Sequence, residues 1–197
     1  MTVKTQAIML LMDGFEDAEA IIVLDFLRRM ELSVTTVSCT GNKILHSYWG
    51  VSLQADALLS ELGDQLYDAV ILVGGPKNSS ALEQSPLIVD YIGRHDQAGK
   101  LIAAVCSAPA KVLGWHQLLK GRSYVCSSGL QETVATGEGT FVDQGVVRDG
   151  NLITCKGLGH CFEFGAAIAR ALGCDLAATK TQHEHIYCDP EKLSFLQ

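Results

Sequence analysis

The chain predicts an α/β fold built on a mainly parallel central sheet with helices on both faces. Three features carry that prediction: apolar runs that are continuous rather than alternating, helical segments interleaved between them, and glycine- or acid-rich turns where the runs stop. A continuous apolar strand is buried on both sides, and interleaved helices are the covers.

The first strand is expected from about Thr5 to Met12, stopping at Asp13-Gly14. A helix follows from about Asp17 to Met30, with apolar residues at Ile21, Leu24 and Leu27 and with Arg28 and Arg29 near its end, where cations suit the dipole. The β-branched run from Ser33 to Cys39 reads as the second strand and completes a βαβ unit. Lys43 to Leu59 reads as a hairpin turning near Gly50, and the run "AVILVGG" as a buried strand stopped by Gly74-Gly75-Pro76. A helix from about Pro86 to Gln97 leads through Gly99 into the strand "LIAAV", and another helix is expected from about Ala108 to Leu119. Two further strands, "GVVRDG" and "NLITC", turn around Asp149-Gly150, and a helix from about His160 to Leu172 follows Gly157-Leu158-Gly159. Ligands of such sheets gather beyond the carboxyl ends of the strands.

At 197 residues, 48% of them hydrophobic, the chain reads as one domain over residues 1–197 with a core of its own. Acidic residues exceed basic ones by 7 and no Lys/Arg cluster stands out, so nucleic acid is not an expected partner. The early apolar stretch "AIMLLM" is too short to span a bilayer and runs into "DGFEDAE" without the features of a signal peptide, which points to no membrane association and a cytoplasmic location. The seven cysteines, Cys39, Cys106, Cys126, Cys155, Cys161, Cys174 and Cys188, include no CxxC pair. That argues against a disulfide framework and a zinc knuckle, and for thiols that are mostly reduced and buried.

Cys106 stands apart from the other six, which read as small apolar fillers. It follows "LIAAV" and precedes a helix start, with small residues Ala104 and Ala108 two positions to either side. A strand-to-helix turn tight enough to present a nucleophile needs such residues, because larger substituents collide as the chain reverses. Pro109 fits the first helical turn, where its missing N–H is not wanted. The corner aims the sulfur at the helix's positive end, which is expected to lower its pKa. Gly74-Gly75 ends a strand that should neighbour that of Cys106, so the Gly75 N–H, with the Ser107 N–H, is expected to make an oxyanion-type cradle.

Three stretches taken together, "GFEDAEA" after the first strand, "LVGGP" in mid-chain, and "AAVCSAPA" followed later by "KGLGHCFEFG", resemble the ThiJ/PfpI superfamily. The resemblance is closest to the branch holding the parkinsonism-associated deglycase and bacterial YajL, and it runs over nearly the whole chain. It implies a flavodoxin-like three-layer sandwich with a nucleophile elbow, and a homodimer. It also implies that Cys106 is the reactive cysteine and Glu19 the glutamate whose carboxyl touches it. Two neighbouring anions repel, so the pair should share one proton, with the carboxyl held protonated as a donor to the thiolate and acting as general acid/base. By contrast Glu16 and Asp17 suit plain helix N-terminal roles.

Some branches of the superfamily place a histidine beside the cysteine, whereas here those positions hold Ser107 and Ser127. That departure weakens a Cys-His-acid hydrolase or amidotransferase arrangement, as does the wrong spacing of His183-Glu184-His185. Gly74, Pro76, Ser127, Leu158 and His160 are the expected pocket lining. His183, His185 and Cys188 make a poor metal site on a terminus expected to be mobile, and His46, His95 and His116 read as ordinary hairpin or helix residues. Two functions compete, with a cysteine peptidase or amidotransferase-like hydrolase as a third. One is an enzyme of glyoxalase or deglycase type adding Cys106 to small reactive carbonyls, with no metal or organic cofactor; the other is a peroxide-sensitive redox sensor or chaperone using the same sulfur.

Overall fold

A computed structural model describes residues 5–196. The strands are β1 (Gln6–Leu11), β2 (Ser33–Ser38), β3 (Ile44–His46), β4 (Ser52–Gln54), β5 (Ala57–Leu58), β6 (Ala69–Leu72), β7 (Leu101–Val105), β8 (Ser123–Tyr124), β9 (Thr140–Phe141), β10 (Val146–Asp149) and β11 (Leu152–Cys155). The α-helices are α1 (Asp17–Arg29), α2 (Leu59–Leu62), α3 (Pro76–Glu83), α4 (Pro86–Gln97), α5 (Cys161–Ala171) and α6 (Leu176–His185). Seven strands form the main sheet in the order β10-β11-β7-β6-β1-β2-β5, parallel except for β10 against β11. Strand order departs in both directions from β1, so the carboxyl ends of β1, β6 and β7 border the crevice where such sheets bind ligands.

Continuous apolar strands serve two cores at once, because successive side chains point to opposite faces. On β7, Ala103 and Val105 join one core with Val23, Phe26, Leu27, Phe164 and Ile168 of α1 and α5. Ile102 and Ala104 face the other, with Ile88 and Ile92 of α4 and Val112 and Leu113 beyond the cysteine corner. Burial at about 25 cal/mol per Å² of apolar surface makes these two layers the main support of the fold.

Several elements differ from the sequence expectation for identifiable reasons. The buried stripe of α1 is Ala20, Val23, Leu24 and Leu27, while Ile21 lies on the solvent side at 48% exposure. Glu16 caps this helix by accepting from the Glu19 N–H at 2.7 Å. The expected hairpin is β3–β4, turning through Gly50 at φ +90°, but β5 leaves it to pair with β2. The helix expected to reach Leu119 is a π-helical turn over Pro109–Gly114, and Gln117 and Lys120 then take left-handed backbone that ends it. Helix α3 has few apolar residues and so no readable period, yet Pro76 starts it at a position suited to proline. The tail is not loose: Asp175 caps α6 through the Ala178 N–H, and His183 is fully buried edge-on to Phe26. Among the described residues no helix is long and apolar enough to cross a membrane, and no cluster of three His, Cys, Asp or Glu could hold a metal ion.

Candidate active site at the cysteine corner

The chain reverses at Cys106 with φ +62°, a left-handed conformation that costs a side-chain-bearing residue about 1–3 kcal/mol and persists only where its surroundings impose it. Two backbone bonds do so. The Cys106 N–H donates to the Cys155 carbonyl at 2.9 Å, extending the β7–β11 ladder, and the Ser127 N–H donates to the Cys106 carbonyl at 2.8 Å. Ser127 therefore belongs to the corner through its backbone. The sulfur is partly exposed rather than sealed in.

The turn after β6 lies directly beneath. A Cβ on Gly74 would stand 2.6 Å from both the Cys106 Cβ and Glu19 Oε2 and 3.0 Å from the sulfur, so only glycine allows this approach. Gly75 is left-handed at φ +97°, and a Cβ there would meet the Gly14 carbonyl oxygen at 2.3 Å. Gly74 donates its N–H to Glu19 Oε2 at 2.8 Å, and the Glu19 carboxyl is in turn hydrogen-bonded to the Cys106 thiol. The Ser107 and Gly75 N–H groups both point at the sulfur. Cys106, Glu19, Gly74, Gly75 and Ser107 thus meet at one place.

Electrostatics at the pair run against one expectation. Burial, the largest influence, pushes the Glu19 carboxyl from 4.5 up to about 7, against the pull of the Gly74 N–H and the Cys106 contact. The Cys106 thiol was expected to be lowered, but it is pushed up to about 12, first by burial and then by the charge of Glu19. The Ser107 and Gly75 amides pull it down and are outweighed. Between these values the pair carries one proton and one negative charge.

Two residues that the sequence did not single out hold this site. Asn78, fully buried on the first turn of α3, accepts from the Met12 N–H at 2.7 Å and donates to the carbonyls of Val73 and Gly74 at 2.8 and 3.1 Å. It ties the ends of β1 and β6 together under the glycine turn. Ser79, also buried, shares a hydrogen bond with the Ser107 hydroxyl at 2.7 Å. An Asn-Ser pair after Gly-Gly-Pro was the available signal, obscured because α3 itself has no pattern.

The remaining expected lining residues are placed less centrally. Pro76 is exposed at the start of α3, and Leu158 is 44% exposed. His160 packs its ring on Gly145 and lines a cavity of about 400 Å³ with Gln144, Glu163, Lys192 and Phe195, to which neither Cys106 nor Glu19 contributes. His95 is a helix residue, as expected, but a fully buried one: it accepts from the Tyr67 N–H at 3.0 Å and contacts the Tyr91 carbonyl at 2.8 Å, so its neutral form bridges α4 to the start of β6. Three of the cysteines, Cys126, Cys155 and Cys161, are buried, and the other four are partly exposed.

Residues 5–171 match the DJ-1/PfpI family. A crystal structure of a cysteine-to-alanine variant of a DJ-1 superfamily protein from Salmonella typhimurium superposes with a TM-score of 0.91 at 47% identity, covering 94% of this chain and 99% of that one. Protein dj-1beta of Drosophila melanogaster is 34% identical over 166 residues, 84% of this chain and 88% of its own. A Caenorhabditis elegans protein named as a glutathione-independent glyoxalase is 28% identical over 169 residues, 86% of this chain and 89% of its own.

Proposed function

The chain belongs to the DJ-1/PfpI family, and from that premise we propose that it is a cysteine-dependent enzyme acting on small reactive aldehydes, of the glyoxalase or deglycase type. The observation that carries the reading is the hydrogen-bonded contact of Cys106 with a Glu19 carboxyl raised to about 7. A base near neutrality is well matched to moving a proton at physiological pH.

In the proposed cycle Glu19 takes the thiol proton as Cys106 Sγ adds to the aldehyde carbon of glyoxal or methylglyoxal, giving a hemithioacetal. The Ser107 and Gly75 N–H groups stand where negative charge develops, on sulfur first and then on the hemithioacetal oxygen. Glu19 next carries a proton from the thiol-bearing carbon to its neighbour, and water cleaves the resulting thioester to the hydroxyacid and free thiol. Repair of early glycation adducts would use the same steps, and nothing in the cycle calls for a metal or organic cofactor. Methylglyoxal given to the purified protein should yield lactate, and Cys106→Ala should abolish it; lactate formation that survives this substitution refutes the reading.

The sensor reading draws on a partly exposed Cys106 whose neighbouring amides and carboxyl would equally hold an oxidised sulfur. Selective oxidation of Cys106 by sub-stoichiometric peroxide without turnover of methylglyoxal would favour it. The peptidase reading gains no support, since His160 faces a different cavity and His183 is buried against Phe26. Homodimerisation is proposed through Ile21 and the β3–β4 hairpin, whose Ile44, Trp49 and Val51 are exposed apolar side chains for a second copy to cover. A monomer in sedimentation would refute it. The cytoplasm, where thiols stay reduced, is the proposed compartment.

A further inference from the structure

Beside the corner lie two thiols that the proposed cycle does not use. Cys155 ends β11 and Cys161 opens α5; both are reduced and fully buried. Their sulfurs converge on one acceptor, the Gly157 carbonyl oxygen, at 3.5 Å from Cys155 Sγ and 3.9 Å from Cys161 Sγ. Sharing one carbonyl oxygen makes the two thiols neighbours. A buried cysteine standing alone is filler, but two that share one acceptor are a candidate dithiol.

The segment joining them is short and carries two glycines with open space beside them. Residues 156–160 separate the pair, and nothing lies within 4 Å of where a Cβ would stand on Gly157 or Gly159. Bringing the sulfurs to a bond of about 2.05 Å needs backbone adjustment, which the conformational range of two glycines in the connecting segment allows. The pair is also coupled to the reactive corner, because the carbonyl that holds the Cys106 N–H at 2.9 Å is that of Cys155.

We propose that Cys155 and Cys161 form a reversible disulfide on exposure to hydrogen peroxide, a second redox site next to Cys106 that goes beyond the aldehyde chemistry. One thiol attacks the peroxide, its S–H proton leaving with the cleaved O–O bond as water, and becomes a sulfenic acid; that sulfur is oxidised by two electrons and the peroxide is reduced. The other thiol displaces the sulfenic hydroxyl as a second water and the S–S bond forms. The two thiols are masked from solvent, so the reaction is slower than that of the partly exposed Cys106 and follows it at higher dose. Closing the bond draws residues 156–160 inward and shifts the carbonyl on which the Cys106 N–H rests.

Lys156 lies between the two cysteines, so trypsin parts them and a disulfide rejoins the two peptides. Native full-length protein and its Cys106→Ala variant are exposed to graded hydrogen peroxide, unfolded in N-ethylmaleimide, and digested without reductant. The expected result in both is a peptide pair linked through Cys155 and Cys161, two hydrogen masses lighter than the sum of its parts and separated by dithiothreitol. Oxidation after unfolding in urea should give this pair mixed with linkages to other cysteines, whereas the native protein gives this pair without them. Recovery of both thiols as maleimide adducts even at doses well above those that fully oxidise Cys106, or their linkage only to other cysteines, would overturn the proposal. Because the Cys106→Ala variant lacks the aldehyde-reactive sulfur, a negative result there leaves the aldehyde reading standing, and loss of lactate formation leaves this one standing.

Discussion

Replacing Glu19 by glutamine isolates the proton shared at the corner. In the native pair the carboxyl titrates at about 7 and the thiol at about 12. The two placements of the single remaining proton carry the same net charge, so the population of both rises together through pH 7. Alkylation of Cys106 by iodoacetamide should therefore show its first inflection near 7. Glutamine keeps the shape but cannot take the proton, and the thiol then titrates alone. It loses the upward push of Glu19's charge but keeps burial, the largest cause, opposed by the Ser107 and Gly75 amides, so its inflection returns toward the ordinary thiol value of 9.0. The first inflection thus moves up by about two units, about 3 kcal/mol in the cost of reaching the reactive form. Peptide mass spectrometry of Cys106 labelling against pH reads this directly. A Glu19→Gln profile that keeps its inflection near 7 refutes the shared-proton reasoning.

The same carboxyl governs stability, with a definite sign. Its folded value of about 7 lies above its ordinary 4.5, so the stability it contributes is fully present below 4.5 and is lost as pH rises through 7, roughly 3 kcal/mol in all. Urea midpoints should show Glu19→Gln gaining on the native protein between pH 5 and pH 8, and a difference constant across that range would count against the buried carboxyl. Gly74→Ala places a methyl 2.6 Å from both the Cys106 Cβ and Glu19 Oε2, so it should cost about 1–3 kcal/mol and slow Cys106 labelling in a protein whose circular dichroism stays native. Equal labelling rates would show that the turn has room to spare. Asn78→Ala strands the Met12 N–H and removes two donors from a fully buried position, with an expected loss of about 2–4 kcal/mol; a thermal midpoint unchanged from native would contradict the tether.

Continuous apolar runs and glycine punctuation made the parallel sheet legible, because a strand buried on both faces must be apolar throughout and a chain reversal must relieve its backbone. Cys106 was legible for the same local reason: Ala104 and Ala108 leave room for an elbow whatever surrounds it. Local pattern could not reveal α3, whose few apolar residues gain their burial from α4 and the turn that follows the cysteine corner, nor the π-helical turn from Pro109, where close packing of Gly114 on Val134 and left-handed Gln117 decide where the helix ends. Nor could it fix the thiol's pKa. Burial and the neighbouring carboxyl set that value, and both come from elements 87 residues apart in the chain, α1 carrying Glu19 and the corner carrying Cys106. What composition and spacing determined was which residue types stand at which turns. Which of them touch, and therefore which proton is shared, was decided only when the sheet brought the ends of β1, β6 and β7 together, since Coulomb and desolvation energies depend on distances and surroundings that no linear pattern contains.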